Sequence, residues 1–345
     1  PALKVSILCS TRRPSQPTHF YTLRLFTGAA EAGFFPGVVL YLSQWFPTFR
    51  RGRIMALFMS AIPVSGLLGS PFSGWILNHF GTGQGGLAGW QWMFLLQGIP
   101  TVILGALAYF LLSDSFANAK WLKPHERAVL EADHATDLAN KPKTTTDSLA
   151  EVFKNPAIWA FGLIYFCIQS GVYAINFWLP SIIKNLGFSD NLVIGWLSAI
   201  PYLLAAVFML LVGRSADLRK ERRWHLVVPM LMGALGLVIA VNFATTPAIA
   251  ILGLTIATMG ALTGLPMFWP VPTAMLSAGA AAGGLALINS MGQMAGFLSP
   301  YIVGFVKDAT GSTDSALYLL AAVIVAGSVL ALRMTRTLKD RKSVV

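Results

Sequence analysis

Charged side chains are scarce: Asp, Glu, Lys and Arg make up 11% of the 345 residues. A water-soluble domain carries about 25%. That shortfall, beside 55% hydrophobic residues and a mean hydropathy of +0.64, excludes a soluble globular protein and points to a polytopic membrane protein. Cysteine is scarcer still. Cys9 and Cys167 have no near partner, so they offer no disulfide framework, metal site or redox motif. The histidines, His19, His79, His125, His134 and His225, are scattered without ligand spacing. There is no GxSxG and no GxxxxGK[ST], which disfavours a serine hydrolase and an ATP-driven pump. Neither an enzyme nor a cofactor is expected. Short alternating segments are also missing, which sets a β-barrel aside.

Long apolar runs are what the chain has. A spanning helix needs about 20 such residues. Nine runs qualify, at roughly 20–46, 54–78, 90–112, 157–183, 192–212, 225–243, 247–270, 281–306 and 315–335. The fold expected is all-α and integral to the membrane, with about nine transmembrane helices.

The net charge of +11 falls in short clusters between these runs, a placement that argues against a nucleic-acid partner and for a lipid bilayer. One set of loops holds Arg50, Arg51 and Arg53, then Lys120 to Lys154, then Arg214 to Arg223, and the tail holds Arg333 to Lys342. The opposite loops hold only Lys184 and Lys307. The positive-inside rule makes the first set cytoplasmic, and the C-terminus with it. Odd parity then puts the N-terminus outside.

Four segments follow. Residues 1–19 are polar, Pro-rich and read as a disordered tail. Residues 20–113 hold three spans. Residues 114–156 form a cytoplasmic linker whose KWLKPHERAVLEAD stretch predicts a short surface helix starting at Pro124. Residues 157–345 hold six spans and a basic tail.

FYTLRLFTGAAEAGFFPG, residues 20–37, is the exception to the exclusion of charge. Glu31 is the acid well inside a span, and Arg24 is the base. A charge at the bilayer centre costs about 2.5–3.5 kcal/mol on insertion scales. The two lie seven residues apart, about two helical turns and ~10 Å of rise, so they share one stripe, with Gly28 between them. The planar donor fork of Arg24 suits a carboxylate or phosphate. Poor hydration favours a neutral Glu31, which could then take up and release a proton. The alternative is that Arg24 snorkels to the surface while Glu31 is a hydrogen-bonded structural acid. Other intramembrane polar residues, Gln169, Asn176, Thr273, Asn289 and Gln293, either line a cavity or bridge helices. Small-residue runs at 63–75 and 283–297, the latter with Gly292 and Gly296 in a GxxxG step, allow close packing or sliding.

RLFTGAAEAGFFPGVVLYLSQWFP, RGRIMALFMSAIPVSGLLGSPFSGWIL and GWQWMFLLQGIP resemble the fourth to sixth spans of the anion:cation symporter family within the major facilitator superfamily. YFCIQSGVYAINFWLP, FWPVPTAMLSAGAAAGGLALINSMGQ and GFLSPYIVGFVKDATGS resemble its seventh, tenth and eleventh. Bacterial members carry tartrate, phthalate, aldonates, uronates or hydroxyphenylacetate with protons. The resemblance implies a major facilitator fold lacking about three N-terminal spans. It implies a multi-pass protein of the bacterial inner membrane, a monomer, with a small organic anion and a proton as its partners. It matches Arg24 to the substrate-binding arginine and Glu31 to the proton-coupling glutamate. It places Gln169, Asn289, Thr273 and Trp269 at the substrate. GRSADLRKERR, residues 213–223, is similar to the superfamily's cytoplasmic gate motif, with Gly213, Asp217, Arg222 and Arg223 matching and Leu218 and Lys220 departing. Asp217 is expected to cap a neighbouring helix N-terminus and to pair with nearby arginines. Two functions stand side by side at this point: a proton-coupled symporter of an organic carboxylate working by alternating access, and a truncated, inactive fragment of one.

Overall fold

The structure, a computed structural model, describes residues 17–32, 34–46, 54, 57–81, 83–113, 115–116, 119, 121–140, 153–219, 221–275 and 278–342. The elements are helical throughout: α1 (Pro17–Ala32), α2 (Phe34–Trp45), α3 (Ala61–Phe80), α4 (Gly89–Leu111), α5 (Pro124–Asn140), α6 (Pro156–Asn185), α7 (Asn191–Arg219), α8 (Arg223–Asn242), α9 (Pro247–Phe268), α10 (Pro270–Met275), α11 (Ala278–Gln293), α12 (Ala295–Thr310) and α13 (Asp314–Lys342). Among the described residues, seven helices are long and apolar enough to cross a membrane. Of the other two apolar runs, 281–306 is covered by a pair of shorter helices, α11 with α12, and 20–46 by α1 and α2 on either side of residue 33, which lies outside the described residues.

Local chemistry sets several boundaries. Pro156 and Pro247 open α6 and α9, where a missing N–H costs nothing. Asn155 Oδ1 accepts the Ala157 N–H at 3.0 Å, and Asp190 Oδ1 accepts the Leu192 N–H at 2.7 Å. Pro270 follows Trp269 at the close of α9, and α10 starts there. Gly311 ends α12 in the left-handed region, at φ 71°. The polar sequence GRSADLR does not end α7, which stays helical to Arg219.

The chain divides into two compact units, residues 1–55 with 72–141 and residues 56–71 with 142–345. In the first, the Trp45 indole stacks on Trp121 at 5.5 Å and donates to the Ser113 carbonyl at 3.2 Å. The Arg127 guanidinium donates to the Ala119 carbonyl at 3.0 Å, fastening the start of α5 to the segment before it. Glu126 accepts the Lys123 N–H at 3.0 Å at the same helix start. Gln97 of α4 donates to Ser73 of α3 at 2.8 Å. The α4 surface is apolar and exposed at Leu104, Tyr109 and Phe110, as a lipid-facing helix requires.

The second unit holds the main core, built on Phe161, Ile164, Ile168, Leu179, Leu226, Met230, Leu254, Leu262 and Phe268. Its tightest joint is between α8 and α9. Gly233 faces Gly260, Gly236 faces Ala257, and Ala240 faces Gly253. One partner's number rises as the other's falls, which is antiparallel register. Small residues let the two backbones touch, and backbone contact is the main source of helix adhesion where lipid removes the hydrophobic drive.

Candidate functional site

Gly162, Tyr165, Gln169, Tyr173 and Asn176 recur every three or four residues along α6 and therefore share one face. That face meets α11 and α12. The Met291 side chain covers Gly162, Gly292 gives the Tyr165 ring its seat, and Gly296 does the same for Tyr173. The GxxxG step thus receives two aromatic rings rather than a second glycine helix. Tyr165 is buried, stacked on Phe268 at 5.0 Å and set edge-on to Trp269 at 4.9 Å.

This geometry separates the intramembrane polar residues by use. The Tyr173 hydroxyl donates to Gln293 Oε1 at 2.6 Å. The Tyr202 hydroxyl of α7 donates to Asn176 Oδ1 at 2.7 Å. Gln293 and Asn176 are therefore helix bridges. Gln169 is different. It is 7% exposed, lies on the α6 face between the two tyrosines, and has no hydrogen-bond partner among the described residues. Asn289 lies one turn before Gly292 on α11, and its Oδ1 is buried and unpartnered among the described residues. A buried amide oxygen without a donor costs about 1–3 kcal/mol, so a bound donor would be favoured there.

Arg24 and Glu31 are both on α1. Their side chains, like that of Thr273 on α10, lie outside the described residues. A Cβ added at Gly28, between the two charges, would meet nothing within 4 Å among the described residues. Trp269 sits at the junction of α9 and α10, against Tyr165.

The GRSADLRKERR stretch forms the corner between α7 and α8. Asp217 pairs with Arg222. The helix cap falls to another residue: Glu221 Oε1 accepts the Trp224 N–H at 2.8 Å, and Oε2 meets His225 Nδ1 at 2.7 Å. The far ring nitrogen of His225 lies 3.0 Å from Ser215 Oγ. Gly213 lies in ordinary contact with Met267, at 3.6 Å from where its Cβ would be. Arg223 lies over its neighbour Trp224, with 5.4 Å from guanidinium carbon to ring centre. Burial opposes the charge on Glu221, but the N–H groups of Trp224 and His225 and the imidazole outweigh it and hold the carboxyl below the usual range. Sequence reading passed over Glu221, Ser215 and His225. The signal available was a glutamate three residues before a helical Trp and four before a His. Among the described residues, no three of His, Cys, Asp and Glu come together as a metal would require.

A family model described as Major Facilitator Superfamily matches residues 3–300. The chain belongs to that superfamily. It is a membrane transporter by family, not an enzyme, and the resemblance read from residue 20 onward holds at this level. A candidate metabolite transport protein of Pseudomonas putida, NicT, is 42% identical over 94% of this chain and 74% of its own. A candidate tartrate transporter of Agrobacterium vitis is 42% identical over 93% of this chain and 73% of its own. A solved D-xylose-proton symporter superposes with a TM-score of 0.61 at 19% identity, over 86% of this chain and 66% of that one. This chain therefore spans just under two thirds of that symporter. A bacterial homologue of the lysosomal transporter Spinster superposes with a TM-score of 0.58 at 16% identity, over 96% of this chain. These two likenesses establish the major facilitator fold.

Proposed function

We propose that this major facilitator protein is a proton-coupled symporter of an organic carboxylate anion, working by alternating access in the bacterial inner membrane with its C-terminus in the cytoplasm. The observation that carries the reading is the pair Arg24 and Glu31, two charges on one apolar helix of a chain whose other apolar runs hold no charge away from their edges. Arg24 supplies a fixed cation with a forked donor for the substrate carboxylate. Glu31 carries the coupled proton, because a carboxylate in a poorly hydrated site is readily neutralised. Gln169 and Asn289 offer unspent amide groups to the substrate hydroxyls or second carboxylate. Trp269 and Thr273 are assigned to substrate binding as well. Gly213, Asp217, Arg222 and Arg223 form the cytoplasmic gate. The resemblance to a candidate tartrate transporter makes a hydroxy-dicarboxylate the first substrate to try.

The test uses the chain as a monomer in proteoliposomes. Labelled tartrate and galactonate are offered with an inward proton gradient. Saturable uptake that collapses with the gradient is expected. Glu31→Gln should abolish gradient-driven uptake while leaving substrate counterflow, and Arg24→Gln should abolish both. Gradient-driven uptake that survives Glu31→Gln would remove the proton-carrier role.

A further inference from the structure

We propose that the corner between α7 and α8 is a binding site for the headgroup of an anionic phospholipid. The sequence from Arg214 to Arg223 carries five basic residues, Arg214, Arg219, Lys220, Arg222 and Arg223, against two acids, Asp217 and Glu221. Both acids are already engaged. Asp217 holds Arg222, and Glu221 holds the first N–H groups of α8 and the imidazole of His225. Arg214, Arg219 and Arg223 have no ion pair among the described residues. For Arg223 the lack is sharper, because its Nε is buried from water and unpartnered among the described residues. A guanidinium N–H in that state calls for an anion with several acceptor oxygens.

The location selects which anion. Asn191–Arg219 and Arg223–Asn242 are both long enough and apolar enough to span a bilayer, so the corner that joins them lies where the apolar slab meets the headgroups. Two large apolar side chains stand out beside the arginines, Leu218 at 75% exposure and Trp224 at 52%. A soluble anion would leave them in water. A lipid covers them with its glycerol and upper acyl chains while its phosphodiester meets the guanidinium groups. Tryptophan is the residue that favours this depth, and basic clusters at the membrane end of a helix are the usual receptors for acidic lipids. Glu221 caps α8, so the lipid phosphate is recruited by arginine side chains rather than by the helix end. The site also differs from the Asp217–Arg222 pair, which the lipid leaves closed.

The experiment compares the full chain in nanodiscs of phosphatidylcholine alone and of phosphatidylcholine with phosphatidylglycerol. Lipids retained through detergent exchange are counted by native mass spectrometry, and melting temperature is followed in parallel. Retention of phosphatidylglycerol over phosphatidylcholine is expected, with a higher melting temperature. Removal of each arginine should weaken retention roughly fivefold. The variant Arg214→Gln/Arg219→Gln/Arg223→Gln should therefore lose the preference. Preference unchanged in that variant, or equal retention of both lipids by the wild-type chain, overturns the proposal. A wild-type measurement covers the case of a variant that does not fold. Raising salt from 50 to 500 mM should erode the preference, since screening shortens the reach of exposed charges. Insensitivity to salt overturns the proposal too. Sodium phosphate in detergent is the last arm. Stabilisation by inorganic phosphate equal to that by phosphatidylglycerol would make this a free-anion site, not a lipid site.

Discussion

Gly253 of α9 faces Ala240 of α8 so closely that a Cβ placed on it would stand 2.6 Å from the Ala240 backbone nitrogen. Backbone cannot yield as a side chain can, so the helices must separate to admit any larger residue. Gly253→Val should lower the stability of the folded chain by about 1–3 kcal/mol or more, since overpacking also opens the two neighbouring small-residue contacts. Thermal unfolding in detergent reads the effect. Gly304→Ala is the control, because a Cβ there meets nothing within 4 Å among the described residues, and its melting temperature should hold.

The division of polar residues into bridges and unspent groups predicts opposite phenotypes. Tyr173→Phe breaks the bond to Gln293 and should cost about 1 kcal/mol of stability with uptake retained. Asn289→Leu removes a buried oxygen that has no donor among the described residues, so stability should hold or rise. Uptake should fall at least about tenfold in the same variant if one substrate hydrogen bond is lost. Parallel melting and transport assays on the two variants decide it. Equal behaviour would show that the sorting carries no functional meaning.

Glu221 makes stability depend on pH in one direction. Its folded carboxyl titrates below the ordinary value. The stabilisation is therefore complete above the unfolded pKa, near 4.3, and is lost as pH falls through the lower folded value. A melting curve series from pH 7 to pH 3 should show a late acid decline that Glu221→Gln lacks. At pH 7 that substitution keeps an acceptor oxygen for the Trp224 N–H and removes only the charge, so it should cost under about 1 kcal/mol.

Asp217 and Arg222 are 67% and 37% exposed, so their pairing should contribute under about 1 kcal/mol to stability. A gate role predicts a larger effect on transport. Asp217→Asn should leave the melting temperature within a degree or two while uptake falls severalfold. A proportionate loss of both would reduce the pair to a surface contact.

Much of this was readable in advance. Length and apolarity alone place the helices at every predicted run, because an unpaired backbone cannot survive in lipid and helix is the local remedy. The run 281–306 reads as one helix in the sequence where the chain makes a pair, α11 with α12, since hydropathy is blind to where backbone bonding is interrupted. The α8–α9 joint was missed for a related reason: Gly233, Gly236 and Gly253 are unremarkable one at a time, and only the facing register gives them meaning. Gln169 and Gln293 look alike in sequence. Their difference comes from whether a tyrosine on another turn or another helix stands opposite, which spacing along one chain does not encode. The bond from the Trp224 N–H to Glu221 depends on where the corner between α7 and α8 sets that carboxylate, which spacing along the chain does not encode.

The seating of Tyr165 on Gly292 and of Tyr173 on Gly296 constrains how the machine can run. A ring lodged in a glycine notch is a detent. Sliding α6 along its partner by one residue, about 1.5 Å, would drive Tyr165 from its notch onto the side chains beside it. Translation between these helices is thus locked at two points, while rocking about the line of the two notches stays free. Any stroke that opens and closes this half of the protein is then a hinge-like tilt, with the tyrosine rings as its pins.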